Sequence, residues 1–453
     1  MMTFAWPSHN RPDILRRSVT SLTESLGEKT KSYRYIIAES GNTQSIPDYV
    51  PSANLLYIND AYRKNLIEEV ERELAFQGLP VDTAQFALSA DHAEGSEGVH
   101  RNTINLATIG ETFISNDDDV IFDIKSLPSS VHKQTFAGAS NFFSFKNWQE
   151  FESFESQMDS VSCSDFFSLH ESLLQNVAFS SSGLRGHSIY GGPRFIFTFN
   201  DSALAAFCQN SAFIDEALAS RILWNETVQV HLVPYSSVAT YSIGMNNKFM
   251  LAPCFPFGRN VDGAFAYATK ALNPSAQTAH VPASILHKPL YDRGAYSSLE
   301  EIEFRINDLL WLIWSEWLQT APTTLSIEDR YALSSDYFDQ IAKQSHRDFS
   351  GYLINLSQRS LLSRASNLEA QHERLKLNTS IRKSSWPGLV MREIGLCRKR
   401  ASDRFLPLPL ESKRDGRSYD DQLNLTQEWV QSYANMIKAW PFIRNLMSKH
   451  KSI

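Results

Sequence analysis

Asn116-Asp117-Asp118-Asp119 interrupts an otherwise apolar stretch, with Thr112-Phe113-Ile114-Ser115 before it and Val120-Ile121-Phe122 after it. Three consecutive carboxylates in a strand-like segment need a neutraliser, because an unpaired buried carboxylate loses several kcal/mol of solvation. A divalent cation such as Mn²⁺ or Mg²⁺ neutralises them and leaves coordination positions open for phosphate. In an extended chain Asp117 and Asp119 point to one side and Asp118 to the other. That alternation predicts a metal on Asp117 and Asp119 that in turn holds a diphosphate. The alternative is a solvated acidic turn.

The elements that must carry this triplet are legible as a pattern. The chain has 453 residues, 42% hydrophobic and 21% charged, enough for two or three domains around a large core. No stretch reaches the roughly 18 apolar residues of a membrane span, and the N-terminus lacks the charged-then-apolar order of a signal peptide. Cys163, Cys208, Cys254 and Cys397 lie far apart without CxxC spacing. This predicts reduced thiols in a cytoplasmic protein, with neither zinc nor a disulfide framework. Short apolar runs alternate with helical patterns up to about residue 290, which is the α/β signature. Strands are predicted at 3–6, 33–38 and 54–58, then at 193–199 and 228–233. Helices are predicted at 13–26, with Pro12 at the start, and at 62–76 and 98–109. Composition changes near Asp292. Beyond it only helices are predicted, at 299–318, two within 327–358, 363–376 and 422–447, interrupted by Leu406-Pro407-Leu408-Pro409-Leu410. Trp311, Trp314 and Trp317 repeat every three residues, which favours a core-facing stripe over sugar stacking.

Four motifs occur in order: Pro7-Ser8-His9-Asn10-Arg11-Pro12 after the first strand, Glu39-Ser40-Gly41 after the second, then Gly98-Val99-His100-Arg101-Asn102-Thr103, then the acidic triplet. Together they resemble the nucleotide-sugar-binding half of GT-A fold glycosyltransferases, most closely family 2. The resemblance covers residues 2–123 and extends more weakly to about residue 290. It implies a GT-A catalytic domain at 1–292, Rossmann-like with a mixed, mostly parallel sheet, and an α-helical domain at 293–453. It implies a metal-dependent glycosyltransferase of hexosyltransferase type, inverting, with Mn²⁺ or Mg²⁺ as cofactor. In that reading Asp119 and Asp117 are the metal carboxylates, and Asp117 also reaches the ribose. Asp118 makes a structural or sugar contact. Pro7, Ser8, Asn10 and Arg11 line the nucleotide pocket, and Glu39 meets the base where the family has Asp. Arg101 contacts diphosphate or sugar, as a guanidinium matches oxyanions. His9 replaces the family's Tyr or Phe and takes no role.

Two later segments extend the resemblance. Asp262, within Pro253 to Gly263, stands where inverting members carry the general base, although Val261 replaces the Glu of the family's Glu-Asp pair. Its alternative role is to cap the helix at 264–272. Arg259 is expected to pair with Asp262 or reach substrate phosphate. His287 occupies the place of a further metal ligand, with His280 as competitor. Gly191-Gly192-Pro193-Arg194 is read as a turn on the acceptor side.

Charge narrows the partners. The chain carries −7 overall, but residues 371–417 hold twelve Lys/Arg against five Asp/Glu, a net +7 that leaves −14 elsewhere. The basic segment suits a membrane surface or a phosphate-bearing acceptor, or is a solvated helical face. The expected partners are a nucleotide diphosphate-sugar, with UDP-sugar as first choice, and a glycan, lipid-linked or peptide acceptor. Nucleic acid is not expected. Two other classes remain open at this stage: a nucleotidyltransferase of related fold, disfavoured by the glycine-free loop Ser8-His9-Asn10-Arg11, and a non-catalytic scaffold that binds a protein.

Overall fold

The computed structural model describes residues 2–41, 49–50, 54–92, 95–128, 140–188, 193–210, 221–227, 229–233, 241–290, 302–322 and 324–450. The expected boundary at residue 292 lies outside them. The strands are β1 (Thr3–His9), β2 (Arg34–Ser40), β3 (Leu55–Ile58), β4 (Thr112–Asn116), β5 (Val120–Ser126), β6 (Ser140–Phe145), β7 (Asp159–Ser160), β8 (Phe179–His187), β9 (Ile222–Thr227), β10 (His231–Val233), β11 (Ser242–Asn246) and β12 (Thr278–His287). The helices of the first part are α1 (Pro12–Leu26), α2 (Asp60–Phe76), α3 (Asp82–Leu88), α4 (Glu97–Ala107), α5 (Trp148–Glu155), α6 (Cys163–Leu173), α7 (Asp201–Asn210) and α8 (Val261–Leu272). Those of the second part are α9 (Ile306–Thr320), α10 (Ile327–Ala342), α11 (His346–Leu375), α12 (Thr379–Lys383), α13 (Trp386–Ser402) and α14 (Tyr419–His450).

One mixed sheet runs in the order β3-β2-β1-β4-β11-β8-β12-β5-β7, with β10 beside β12 and β9 joining β6 to β8. Pairing is parallel from β3 through β4, and again between β8 and β12. The other pairs are antiparallel. Because β11 runs against both β4 and β8, the strands β1, β2, β4, β8 and β12 all point the same way. Their C-terminal ends open on one edge, where open α/β sheets bind ligands.

Local chemistry explains how that edge is built. Strand β1 is buried along nearly all its length, so it reads as a continuous apolar run rather than an alternation. It pairs with β2 through His9 but with β4 only through Ala5. Pro7, which has no N–H, therefore sits where the β4 side is already open. Asn10 then turns with φ 48° and Pro12 starts α1. The acidic triplet differs from expectation: it is a turn, not extended chain, and carries the backbone from β4 to β5, with β11, β8 and β12 lying between them in the sheet.

Alternation across the sheet feeds two cores. Phe4, Trp6, Tyr35 and Ile37 face one with α1, α6, α12 and α13; Ala5, Ile36 and Ala38 face the other with α2, α4, α8, α9 and α14. Helix α11 reaches both, with Phe349 and Leu353 in one core and Leu361 and Leu368 in the other.

Several sequence expectations change. Residues 193–198 form a 3₁₀ turn rather than a strand, and 346–375 is one helix where two were expected. The helix expected from residue 299 begins at Ile306. Strands β8, β11 and β12 and helix α13 carried no recognised sequence signal. The tryptophan stripe splits: Trp314 and Trp317 are core, but Trp311 is 42% exposed and packs on Tyr267. Three residues advance a helix by only 300°, so the stripe drifts around the axis.

Candidate active site

The three aspartates of the turn face three different partners. Asp118 is buried and accepts from the Ser8 hydroxyl at 2.9 Å and from Arg11 at 3.5 Å, which ties the triplet to the loop after β1. Burial and the neighbouring Asp119 charge raise its pKa, against Arg11 and Ser8. Asp119 is buried, with Oδ1 2.9 Å from His287 Nε2. Asp117 accepts from Arg101 at 3.1 Å and keeps 30% of its side chain exposed. Burial pushes its pKa upward, opposed by Arg101 and reinforced by Asp262 and Asp119.

His287 is mounted as a ligand would be. It ends β12, paired with Val120 at the start of β5, and the Lys288 N–H donates to the Asp119 carbonyl at 3.1 Å. Its Nδ1 donates to the His187 carbonyl at 2.6 Å, since a carbonyl can only accept. That bond fixes the ring and aims Nε2 at Asp119. His280 lies seven residues back on β12, opposite His231, and is not in this pair.

The residues present fit a divalent metal. The 2.9 Å between Asp119 Oδ1 and His287 Nε2 is close to the separation of adjacent ligands on an octahedral ion with bonds of about 2.1 Å. Among the described residues no cluster of three His, Cys, Asp or Glu converges on one point. The structure thus draws Asp119 and His287 together and turns Asp117 toward Arg101, where the sequence expected Asp117 and Asp119 to share the metal. Two protein ligands suffice for Mg²⁺ or Mn²⁺ when phosphates and water complete the shell.

Arg101 forms the other wall. Its Nε donates to Asp262 at 3.2 Å and its NH2 to Asp117 at 3.1 Å. Burial works against its charge, but Asp262 and Asp117 together raise its pKa above the ordinary value. The mount is rigid: Asn102 Nδ2 donates to the Cys254 carbonyl at 2.9 Å, and its Oδ1 accepts from the Cys254 N–H at 2.7 Å. The N–H groups of Gly98 and Val99 both donate to the Pro256 carbonyl. A Cβ on Gly98 would stand 1.8 Å from the Phe255 carbonyl oxygen, so glycine is required there. Helix α4 and the loop entering α8 are therefore one unit, which brings residues 161 apart into contact.

Asp262 lies inside the first turn of α8. The N-cap is Asn260, left-handed at φ 65° and without a side-chain cap bond, so Asp262 is not the cap. Arg101 pairs with it, whereas Arg259 is exposed and its backbone carbonyl accepts from Asn307. Glu39 is the last residue but one of β2, buried, accepting from the Tyr57 hydroxyl at 2.9 Å, with Arg63 donating to its carbonyl at 2.6 Å. The Asn10 N–H donates to the Ser40 carbonyl, and His9 meets the Ser40 hydroxyl at 2.8 Å. Gly191 and Gly192 lie outside the described residues. Arg194, in the same motif, donates to Glu393 of α13.

Sequence reasoning missed Arg17, one turn into α1, which donates to the Lys288 carbonyl. Burial lowers its pKa, and the nearby Asp119 and Asp118 charges oppose that. It also missed the anchoring carbonyl of His187 and the clamp by Asn102.

Comparison with protein-family models and with curated proteins returns no match. Among solved structures, the chain is similar to glucosyl-3-phosphoglycerate synthase from Mycobacterium tuberculosis in complex with Mg²⁺ and UDP, at 12% identity over 72% of this chain and 81% of that one, TM-score 0.32. It is similar to S. aureus TarS 1-349 in complex with UDP, at 10% identity over 92% and 93%, TM-score 0.33. It is also similar to the mannosyltransferase PcManGT from Pyrobaculum calidifontis in complex with GDP-Man and Mn²⁺, at 9% identity over 88% and 86%, TM-score 0.35. These neighbours are GT-A-type glycosyltransferases.

Proposed function

We propose that the chain is a metal-dependent glycosyltransferase that moves a sugar from a nucleotide diphosphate-sugar to an acceptor hydroxyl with inversion. The observation that carries this reading is the pairing of Asp119 with an anchored His287 at the same sheet edge as the Asp117–Arg101–Asp262 bridge. A divalent ion on Asp119 and His287 would offset the charge of the departing diphosphate. The loop Pro7 to Arg11, held by Asp118, and the buried Glu39 would bind the nucleotide. Asp262 would accept the proton as the acceptor oxygen bonds to the anomeric carbon and the bond from that carbon to the diphosphate oxygen breaks. The basic 371–417 segment would meet a membrane surface or an anionic acceptor. Within it Leu377 is 83% exposed beside Lys376, while Arg374 and Arg398 are already paired with Asp201 and Glu369. No described helix is long and apolar enough to cross a membrane.

Calorimetry with Mn²⁺ and a panel of nucleoside diphosphates tests the donor half. Wild-type chain is expected to bind one of them only with metal, and Asp119→Ala to abolish that binding. Metal-independent binding, or unchanged affinity in Asp119→Ala, rejects the reading. Asp262→Asn is expected to bind donor and lose transfer, read as product formed once a panel of donors and acceptors reveals turnover. Full turnover by that variant rejects the base assignment.

A further inference from the structure

Arg101 is one cation shared by two carboxylates. Its side chain is only 11% exposed and bridges Asp262 and Asp117 by separate N–H groups. A diphosphate entering this pocket brings more negative charge beside two carboxylates that share this guanidinium, and like charges in a partly desolvated site repel strongly. The guanidinium is the group whose planar fork best fits phosphate oxygens. We infer that Asp262 and the donor diphosphate compete for Arg101, so that donor binding frees Asp262 from its ion pair and the acceptor-side carboxylate becomes available only when donor is in place. The inference rests on the donor reading above and goes beyond it by making Arg101 a positioning residue that couples the two halves of the reaction.

Three features favour an exchange at Asp262 rather than elsewhere. Helix α4 is clamped to the 254–256 backbone by Asn102, Gly98 and Val99, so the exchange is a side-chain rotation and not a backbone movement. Asp117 is held by its backbone, its N–H donating to the Tyr241 carbonyl at 2.9 Å. Asp262 has an alternative stabiliser. It lies in the first turn of a twelve-residue helix whose N-cap offers no side-chain bond, so the helix N-terminus favours its negative charge after Arg101 leaves.

The test is a double-mutant cycle on Mn²⁺-UDP affinity, with Mn²⁺-GDP in parallel, measured by calorimetry on the full chain. Asp262→Asn is expected to tighten nucleotide binding, because the donor no longer has to displace a carboxylate. Arg101→Gln is expected to weaken it by about tenfold. The gain from Asp262→Asn is expected to vanish in the Arg101→Gln background. Arg101→Lys, which keeps the charge, serves where Arg101→Gln melts early, and should retain part of the gain. Unchanged affinity in Asp262→Asn overturns the inference. An equal gain in both backgrounds also overturns it, since that is general repulsion by the Asp262 charge without exchange of Arg101. Wild-type chain that binds neither nucleotide removes the donor reading and this inference with it; wild-type binding without coupling removes the inference alone.

Discussion

At the scale of residues, position in the sheet decides what each carboxylate does. Asp117, Asp118 and Asp119 are identical in type and adjacent in sequence, yet one meets Arg101, one Ser8 and one His287. A different carboxylate shows the same environmental control away from the site. Glu226 is buried on β9, accepts from the Leu127 N–H at 2.9 Å and the Trp224 indole at 3.0 Å, and burial pushes its pKa up to about 7 from 4.5. Between those values the folded chain binds more protons at this site than the unfolded chain. Stability from this group is therefore full below about pH 4.5 and declines as pH rises to about 7. The loss is at most about 3 kcal/mol. Urea titrations from pH 4.5 to 8 should show this decline in wild-type chain and a flatter profile in Glu226→Gln. A wild-type profile rising over that window contradicts the assignment.

At the scale of elements, the site depends on two joints that no single element contains. One is the β12–β5 pairing that sets His287 against Asp119. The other is the seat of α4 on the 254–256 backbone. Gly98→Ala places a methyl against a backbone carbonyl that cannot rotate away, and is expected to cost about 3 kcal/mol. It should also move Arg101 and weaken metal-dependent nucleotide binding beyond what the stability loss explains. Denaturation and calorimetry on the same preparation separate the two effects; wild-type values in both would show that the joint yields freely. The motif around Gly98 was visible in the sequence as a marker of the resemblance. Its mechanical reason was not, because its partner lies more than 150 residues away.

At the scale of the whole molecule, the helical second half is part of the core. Leu309, Leu310 and Trp314 of α9 pack in one core with Ile36 and Ala38 of the sheet, and Trp386 and Leu389 of α13 share the other with Trp6 and Ile37. Glu393 of α13 is buried between Arg194 and Arg364. A chain ending at residue 292 would strip the second-half side chains from both cores and leave Arg194 without that carboxylate. It is expected to lose cooperative unfolding and to be cleaved by protease far faster than full-length chain. A sharp, reversible melt of the truncated chain would show instead that the first part folds alone.

The sequence by itself determined the alternating α/β elements of the first 126 residues, the helical character of the second part and the candidate residues at strand ends. These follow from local periods, turn residues and a run of carboxylates between apolar residues, all read from neighbours along the chain. Only the tertiary structure decided that His287 rather than His280 meets Asp119, that Arg101 rather than Arg259 holds Asp262, and that the helical half completes the cores on both sides of the sheet. Those outcomes depend on which strand ends share an edge and which backbones touch across 150 residues or more. Strands β8, β11 and β12 form the middle of the sheet. Strands β8 and β11 are buried throughout, but their serines and glycines break any apolar run, and in β12, where Val281, Ala283 and Ile285 alternate with His280, Pro282 and Ser284, the proline speaks against a central strand.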